Sequence, residues 1–318
     1  MEHKTRALRC LEGTRKDLID LIPEWVRNFS STAMNILWIF GNPGAGKSTL
    51  AMHIANLLRE ARHLGVIVEF NRTTGVNASI LWQTIAYALA CKYPECRRVI
   101  VEKLKSGTLN LANATSVQIF SQLIAEPLQH LISGDAKTPT NRLPVIIIDA
   151  LDECGGLGHS SWKARKDILD CFRDWQKLAP GVKLIVTSRT EQDIRLAFSN
   201  VPHTPLEIPT GTSVTETTTC DVESYMRDGF KKIAIANEII GDWPCEEAIA
   251  DLSRRAEGVF IWATTVLGFV DDVQPKEQLR TIPGGWFPSG DVYTLYCQIL
   301  DISFPPYVQP GKLYPGRW

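Results

Sequence analysis

A parallel α/β sheet covered by helices on both faces, followed by a smaller helical region, is the fold class this sequence predicts. Three observations predict it. Short apolar runs of strand type alternate with amphipathic segments of helical period up to about residue 190. One of those runs, Val145-Ile146-Ile147-Ile148, is apolar at every position, as strands buried inside a parallel sheet are. From about Thr215 the strand-type runs stop and helical patterns take over.

The elements follow in order. Residues 1–32 are a charged lead-in, and Leu18, Leu21, Ile22, Trp25 and Phe29 give helical spacing over about 16–29 in spite of Pro23. Gly13 and Thr14 are expected to form its turn and N-cap. The run 36–40 is a strand that stops at Gly41, and Leu50, Ile54, Leu57 and Leu58 make the next segment a helix. A second strand is expected at 66–70, then helices at 78–90, 94–105 and 115–132 and a loop of Gly, Asp, Thr, Pro and Asn at 133–142. The strand 145–148 leads through a loop at 154–161 to a helix at 162–178, and the Pro180-Gly181 turn starts a strand at 182–187. Helices at 221–235, 246–257 and 259–270 follow, the last apolar nearly all round. Beyond Pro275 the pattern gives one short helix, 292–300, and a tail, 303–318, whose four prolines exclude helix.

Composition narrows the function classes. The chain has 318 residues, room for about two domains, with 44% hydrophobic and 22% charged residues, an ordinary globular balance. A net charge of −1 supplies no overall field for nucleic acid or an anionic membrane. The eight cysteines form no C-x-x-C and no zinc-type spacing with histidine, so reduced and mostly buried thiols are expected. The charged N-terminus is unlike a signal peptide, and the longest apolar stretch, 258–270, is shorter than the ~18 residues a span needs. Cytoplasmic location is the expectation.

The chemistry is concentrated at residues 41–49, Gly41-Asn42-Pro43-Gly44-Ala45-Gly46-Lys47-Ser48-Thr49. This is G-x-x-x-x-G-K-[ST] between a strand and a helix, the context of a phosphate-binding loop. Glycines at 44 and 46 let the backbone turn tightly and aim N–H groups at an anion, and the following helix adds its own free amides. Lys47 is expected on the β- and γ-phosphates, Ser48 on Mg²⁺ and Thr49 near the α-phosphate. A plain strand-to-helix turn is the blander alternative, and the flanks on the correct sides argue against it.

The second constellation is Ile148-Asp149-Ala150-Leu151-Asp152-Glu153. A buried strand ending in Asp149 sets a carboxylate at the carboxyl edge of the sheet, where it would hold Mg²⁺ through water. Asp152 and Glu153 lie a turn further on, and either one would orient or deprotonate the attacking water. Thr187-Ser188-Arg189 ends the next strand at the same edge, placing a cation to contact a γ-phosphate. His53 reads as a packing or surface histidine. Acids beside Cys154 should raise its thiol pKa and make it a poor nucleophile. Trp162, Trp175 and Trp262, at helical positions, read as core.

The phosphate loop, the acid box 148–154 and Leu184-Ile185-Val186-Thr187-Ser188-Arg189 together resemble the NACHT class of signal-transduction P-loop NTPases. Cys10-x-x-Gly13-Thr14-Arg15, Phe260-Ile261-Trp262-Ala263 and Leu295-Tyr296-x-x-Ile299-Leu300 are similar to the nephrocystin-like NACHT modules of fungal NOD-like receptors. The resemblance runs from about Cys10 to Leu300. It implies a three-layer sheet of about five core strands with the arginine strand between the P-loop and acid-box strands. It divides the chain into a lead-in helix (1–32), the NTPase domain (33–214), a helical lid that closes on nucleotide (215–285) and an incomplete C-terminal segment (286–318). It also implies a switch in innate-immunity signalling: closed with ADP, self-associating with ATP, reset by slow Mg²⁺-dependent hydrolysis. In that picture Lys47 and Ser48 bind phosphate and Mg²⁺, Asp149 supports the metal and Arg189 senses the γ-phosphate.

This chain departs from related plant-type switches at Gly258-Val259-Phe260, where they carry a Gly-Leu-Pro whose proline contacts adenine. A winged-helix domain should begin where the sequence ends, and the tail is read as that of a shortened gene product. A constitutive ATPase or helicase fits less well, because its acid would directly follow the apolar strand, where Asp149 stands. A GTPase would need Asn-Lys-x-Asp, which is absent, so adenine is preferred. A scaffold that holds ADP without turnover remains the non-enzymatic alternative.

Overall fold

The computed structural model describes residues 9–30, 32–72, 77–133, 143–155, 161–179, 181–282 and 293–297. Contacts divide the chain into two compact units, one of residues 1–43 and 47–208, the other of 44–46 and 209–318.

The first unit is built on five strands: β1 (Ile36–Phe40), β2 (Leu64–Glu69), β3 (Val145–Asp149), β4 (Lys183–Ser188) and β5 (Thr204–Glu207). All pair in parallel, in the order β2-β3-β4-β1-β5, so β4 lies between β1 and β3 as the resemblance implied. Parallel neighbours need helical crossovers, and the intervening segments supply them. They are α2 (Lys47–Glu60), α3 (Ala78–Lys92), α4 (Pro94–Lys105), α5 (Ser116–Phe120), α6 (Glu126–Ser133), α7 (Ser161–Trp175) and α8 (Gln192–Phe198), while α1 (Lys16–Arg27) precedes β1. The expected helix over 115–132 runs through a π-helical turn, Ser121–Ala125, between α5 and α6.

Side chains alternate across each strand. Ile36, Trp38, Ile146, Ile148, Leu184 and Val186 join one core with Trp82, Phe120, Phe172 and Trp175, while Leu37, Ile39, Ile147 and Ile185 alternate with them and are equally buried. Helix α2 packs on β2, β3 and β4 with Leu50, Ala51, Ile54 and Leu58 buried. Both faces are therefore covered, which is why β3 and β4 are buried at every position.

Several local expectations change. Helix α1 buries Leu18, Ile22 and Val26, while Leu21 is half exposed, and its N-cap is Arg15 in left-handed backbone with no side-chain cap. Thr14 instead bonds its hydroxyl back to the Leu11 carbonyl (2.7 Å). Trp175 and Trp262 are fully buried, but Trp162 is 48% exposed: it stands in the first turn of α7, off the buried stripe. Of the eight free cysteines only Cys96, Cys154 and Cys171 are buried. Helix α8 was not expected, and β5 supplies the fifth strand that the resemblance implied but the sequence pattern did not place. The loops at 134–142 and 156–160, the ends of the late helix and the tail lie outside the described residues, whereas 293–297 of that helix are helical as expected.

Lys183, at the start of β4, is buried, donates to the carbonyls of Asn28 (2.9 Å) and Met34 (3.2 Å) and lies 4.8 Å over the Trp25 ring. It ties the segment after α1 to the sheet. Burial pushes its pKa down to about 8. Between pH 8 and the ordinary lysine value of 10.5 the unfolded chain therefore holds a proton that the folded chain has lost, and stability rises with pH. Urea titrations of wild type and Lys183→Met should diverge in favour of wild type by about 1–3 kcal/mol across that interval. Parallel curves would refute the shift.

The second unit is helical: α9 (Glu216–Ala236), α10 (Glu246–Arg255), α11 (Phe260–Val270) and α12 (Pro275–Arg280). Thr215 caps α9 by accepting from the Thr218 amide at 3.2 Å. Val222, Met226, Phe230 and Ile233 form its apolar stripe and pack with Ile249, Leu252, Trp262, Val266 and Leu267. No helix among the described residues is long and apolar enough to cross a membrane.

Candidate functional site

The carboxyl ends of β1, β3 and β4 form one edge of the sheet. Register fixes this: Phe40 pairs with Ser188 and Ile148 with Val186, so Gly41, Asp149 and Arg189 all emerge on the same side. Ligands of open parallel sheets bind at such an edge.

After β1 the chain turns through Gly41, the exposed Asn42 and Pro43, then Gly44, buried Ala45 and Gly46 into α2. Gly44 (φ 74°) and Gly46 (φ 88°) occupy left-handed backbone, where a side chain is strained. The Lys47 ammonium is half-buried and donates to the carbonyls of Gly41 (2.8 Å) and Asn42 (2.9 Å). Burial lowers its pKa and the Arg189 charge adds to that, whereas Asp152, Asp149 and Glu153 favour the charged form. Ser48 and Thr49 stand in the first turn of α2.

Asp149 closes β3 and is 3% exposed. Burial raises its pKa, and hydrogen bonds from the Thr187 and Ser48 hydroxyls and the Ala150 amide, with the Lys47 charge, pull it back. The start of the phosphate-loop helix thus lies beside the end of the acid strand, which brings together the two groups expected to share a metal. Thr187 also accepts from the Ala150 amide at 2.9 Å, and Ala150 is left-handed (φ 56°), a costly conformation for a non-glycine residue. That turn swings the chain from β3 into a short 3₁₀ helix, Leu151–Glu153.

Asp152 and Glu153 then part ways. Asp152 is buried and both its oxygens are engaged by Arg189, Oδ1 by the backbone amide (2.9 Å) and Oδ2 by Nε (3.2 Å). Glu153 is half-buried, and among the described residues no hydrogen bond or ion pair holds its carboxylate. Cys154 is buried and its thiol is held up at about 11 by burial rather than by the neighbouring acids.

Three further residues were missed. Thr187 was read as part of a strand end, not as the partner of Asp149. Glu69 ends β2 in register with Asp149, and burial, then Asp149 and Glu153, raise its pKa. Arg165, on α7, is 2% exposed and donates from Nη1 to the Asp152 carbonyl at 2.9 Å.

Among the described residues no group of three or more His, Cys, Asp or Glu side chains is arranged to hold a metal. One hydroxyl and one carboxylate beside an anion-binding loop fit Mg²⁺, which takes few protein ligands and completes its shell with water and phosphate. The donor set therefore suits a magnesium nucleotide.

The model of the family described as nephrocystin 3, N-terminal, matches residues 14–189, more than half the chain. A search of curated protein sequences finds no match. Among solved structures, Drosophila ORC bound to DNA superposes with TM-score 0.51 at 14% identity over 95% of this chain and 70% of that one. Aeropyrum pernix ORC2 in its ADPNP and ADP complexes gives 0.49 at 11% identity, covering 85% and 67%. C. elegans PCH-2 gives 0.43 at 12% identity, covering 82% and 64%. The chain thus spans about two thirds of the length of these proteins, and at such identities the likeness is one of fold.

Proposed function

The chain belongs to the nephrocystin 3 N-terminal family of NACHT-like P-loop NTPases, and from that membership we propose that it is an ATP/ADP-binding signalling switch with slow Mg²⁺-dependent ATP hydrolysis. The observation that carries this reading is that Lys47 of the phosphate loop and the buried Asp149 ending β3 meet at one edge of the sheet, near enough that each charge favours the ionised form of the other.

Residues 41–49 cradle the phosphates with backbone amides, and the Lys47 ammonium meets the β- and γ-oxygens. Ser48, and Asp149 through water, would hold a magnesium ion, which would supply charge neutralisation at the phosphates. Glu153, whose carboxylate no hydrogen bond or ion pair holds among the described residues, orients and deprotonates the attacking water. Asp152 holds Arg189, and Arg189 reports the γ-phosphate. Residues 215–285 act as the lid of the NTPase domain (33–214), and the ATP state self-associates. A cytoplasmic receptor of the fungal NOD-like type is the setting this switch suits.

The test is calorimetry of the purified chain with ADP, ATP and GTP in Mg²⁺, with turnover and sedimentation measured alongside. The expected result is adenine preference over guanine, turnover well below the ~10 s⁻¹ enzyme median, and faster sedimentation with ATP than with ADP. Turnover at or above that median would make the protein a constitutive ATPase. Binding with no turnover at all would make it an ADP-holding scaffold.

A further inference from the structure

We propose that Arg165 is a positioning residue for discrimination between nucleoside tri- and diphosphate, acting through Asp152 on Arg189. This rests on the reading of Arg189 as the γ-phosphate sensor.

Arg165 spreads one guanidinium over three partners. Nε and Nη2 make a bidentate pair with Asp193 (2.9 and 3.0 Å), Nη2 also meets Glu191 (2.6 Å), and Nη1 donates to the Asp152 main-chain carbonyl (2.9 Å). Its side chain is 2% exposed, whereas those of Glu191 and Asp193 are 38% and 25% exposed. Burying a cation is costly, and apolar packing of the same volume would stabilise the fold as well or better. What an apolar side chain cannot do is hold two other chain segments at fixed angles to α7.

Those segments bracket Arg189. On one side is Asp152, whose carboxylate takes both the amide and Nε of Arg189. On the other are Glu191, the N-cap of α8, and Asp193 in its first turn, two and four residues past Arg189. Arg165 thus closes a ring: α7 to the 3₁₀ turn, to the end of β4, to the start of α8, and back. The outer part of the Arg189 side chain faces solvent, at 38% exposure, and among the described residues nothing pairs with its two terminal nitrogens. The Arg189 charge is nonetheless felt at Lys47. The ring therefore fixes the Arg189 guanidinium through its Nε and main-chain amide, close enough to Lys47 for its charge to be felt there. A loosened ring would still leave Lys47 and the loop amides to bind diphosphate.

Arg165→Lys keeps the charge and loses the fork, so it isolates geometry. Calorimetry with ADP and ATPγS is expected to show ADP affinity within about twofold of wild type. The ATPγS-to-ADP affinity ratio should fall about fivefold or more, towards that of Arg189→Ala. The double variant should fall no further than Arg189→Ala alone. A ratio unchanged in Arg165→Lys while it falls in Arg189→Ala overturns the proposal and leaves Arg165 a packing residue, even if melting temperature drops. Should Arg165→Lys not fold, Asp193→Asn, which weakens the bidentate pair from its half-exposed side, must move the ratio the same way. If Arg189→Ala itself leaves the ratio unmoved, the sensor reading fails and the ring falls with it. A large loss of affinity for both nucleotides in Lys47→Ala separates both outcomes from failure of the site as a whole.

Discussion

Lys47→Ala is expected to weaken both ADP and ATP by roughly 10²–10³-fold, about 3–4 kcal/mol, as read by calorimetry. The size follows from where the ammonium sits. It is half-buried and held by two main-chain carbonyls of its own loop, so part of its desolvation has already been met in the free protein. Phosphate oxygens arriving beside it gain a preorganised charge, with Asp152, Asp149 and Glu153 keeping that charge in place against burial. Removing it leaves only amide dipoles to face the anion. Because the pKa of Lys47 is lowered, wild-type affinity should also fade at a milder alkaline pH than an ordinary lysine would allow, and the variant should lack that dependence. The variant's melting temperature is the control, since two carbonyl bonds are lost as well. A folded Lys47→Ala protein that binds nucleotide as tightly as wild type would remove the phosphate loop from the site.

How much of this was legible beforehand depended on whether a feature is local in sequence. The phosphate loop, the acid box and Thr187-Ser188-Arg189 are contiguous motifs at strand ends, and a parallel sheet brings strand ends to one edge without further information. Strand β5 was not legible because Thr204–Glu207 is short, contains Pro205 and sits at the sheet edge, where the intermediate and exposed positions alternate with no apolar run. Helices α8 and α12, at seven and six residues, are too short to establish a period. Pairing between segments was invisible: the bond of Thr187 to Asp149 and that of Arg189 to Asp152 depend on register, not spacing. Arg165 did leave a signal. It shares the stripe of Ile168, Phe172 and Trp175 at helical intervals, so a cation stood at a core-facing position and required a partner. Trp162, by contrast, was assigned to the core on residue type, one turn before that stripe begins.

The choice between Asp152 and Glu153 needed side-chain partners, and it leads to the second large effect. Glu153→Gln is expected to cut the ATP turnover rate by roughly 10²–10⁴-fold while leaving ATP and ADP affinity within a few-fold of wild type. The amide is nearly isosteric and, with no hydrogen bond or ion pair on the native carboxylate among the described residues, little structure depends on it. Asp152→Asn should behave differently. It weakens the ion pair to Arg189 and leaves a buried amide whose nitrogen faces a donor, so its main signature is a changed preference between ATP and ADP with some loss of stability. Single-turnover kinetics on the two variants separate the roles, because chemistry is then read apart from product release. A slow chemical step in Asp152→Asn with a normal one in Glu153→Gln would exchange the assignments, and normal steps in both would move the water-activating group to another carboxylate, with Glu69 in register beside Asp149 as the next to replace. The expected pattern leaves Glu153→Gln loaded with ATP, and in a protein whose hydrolysis resets it that variant should sediment persistently as the self-associated form after a single addition of ATP.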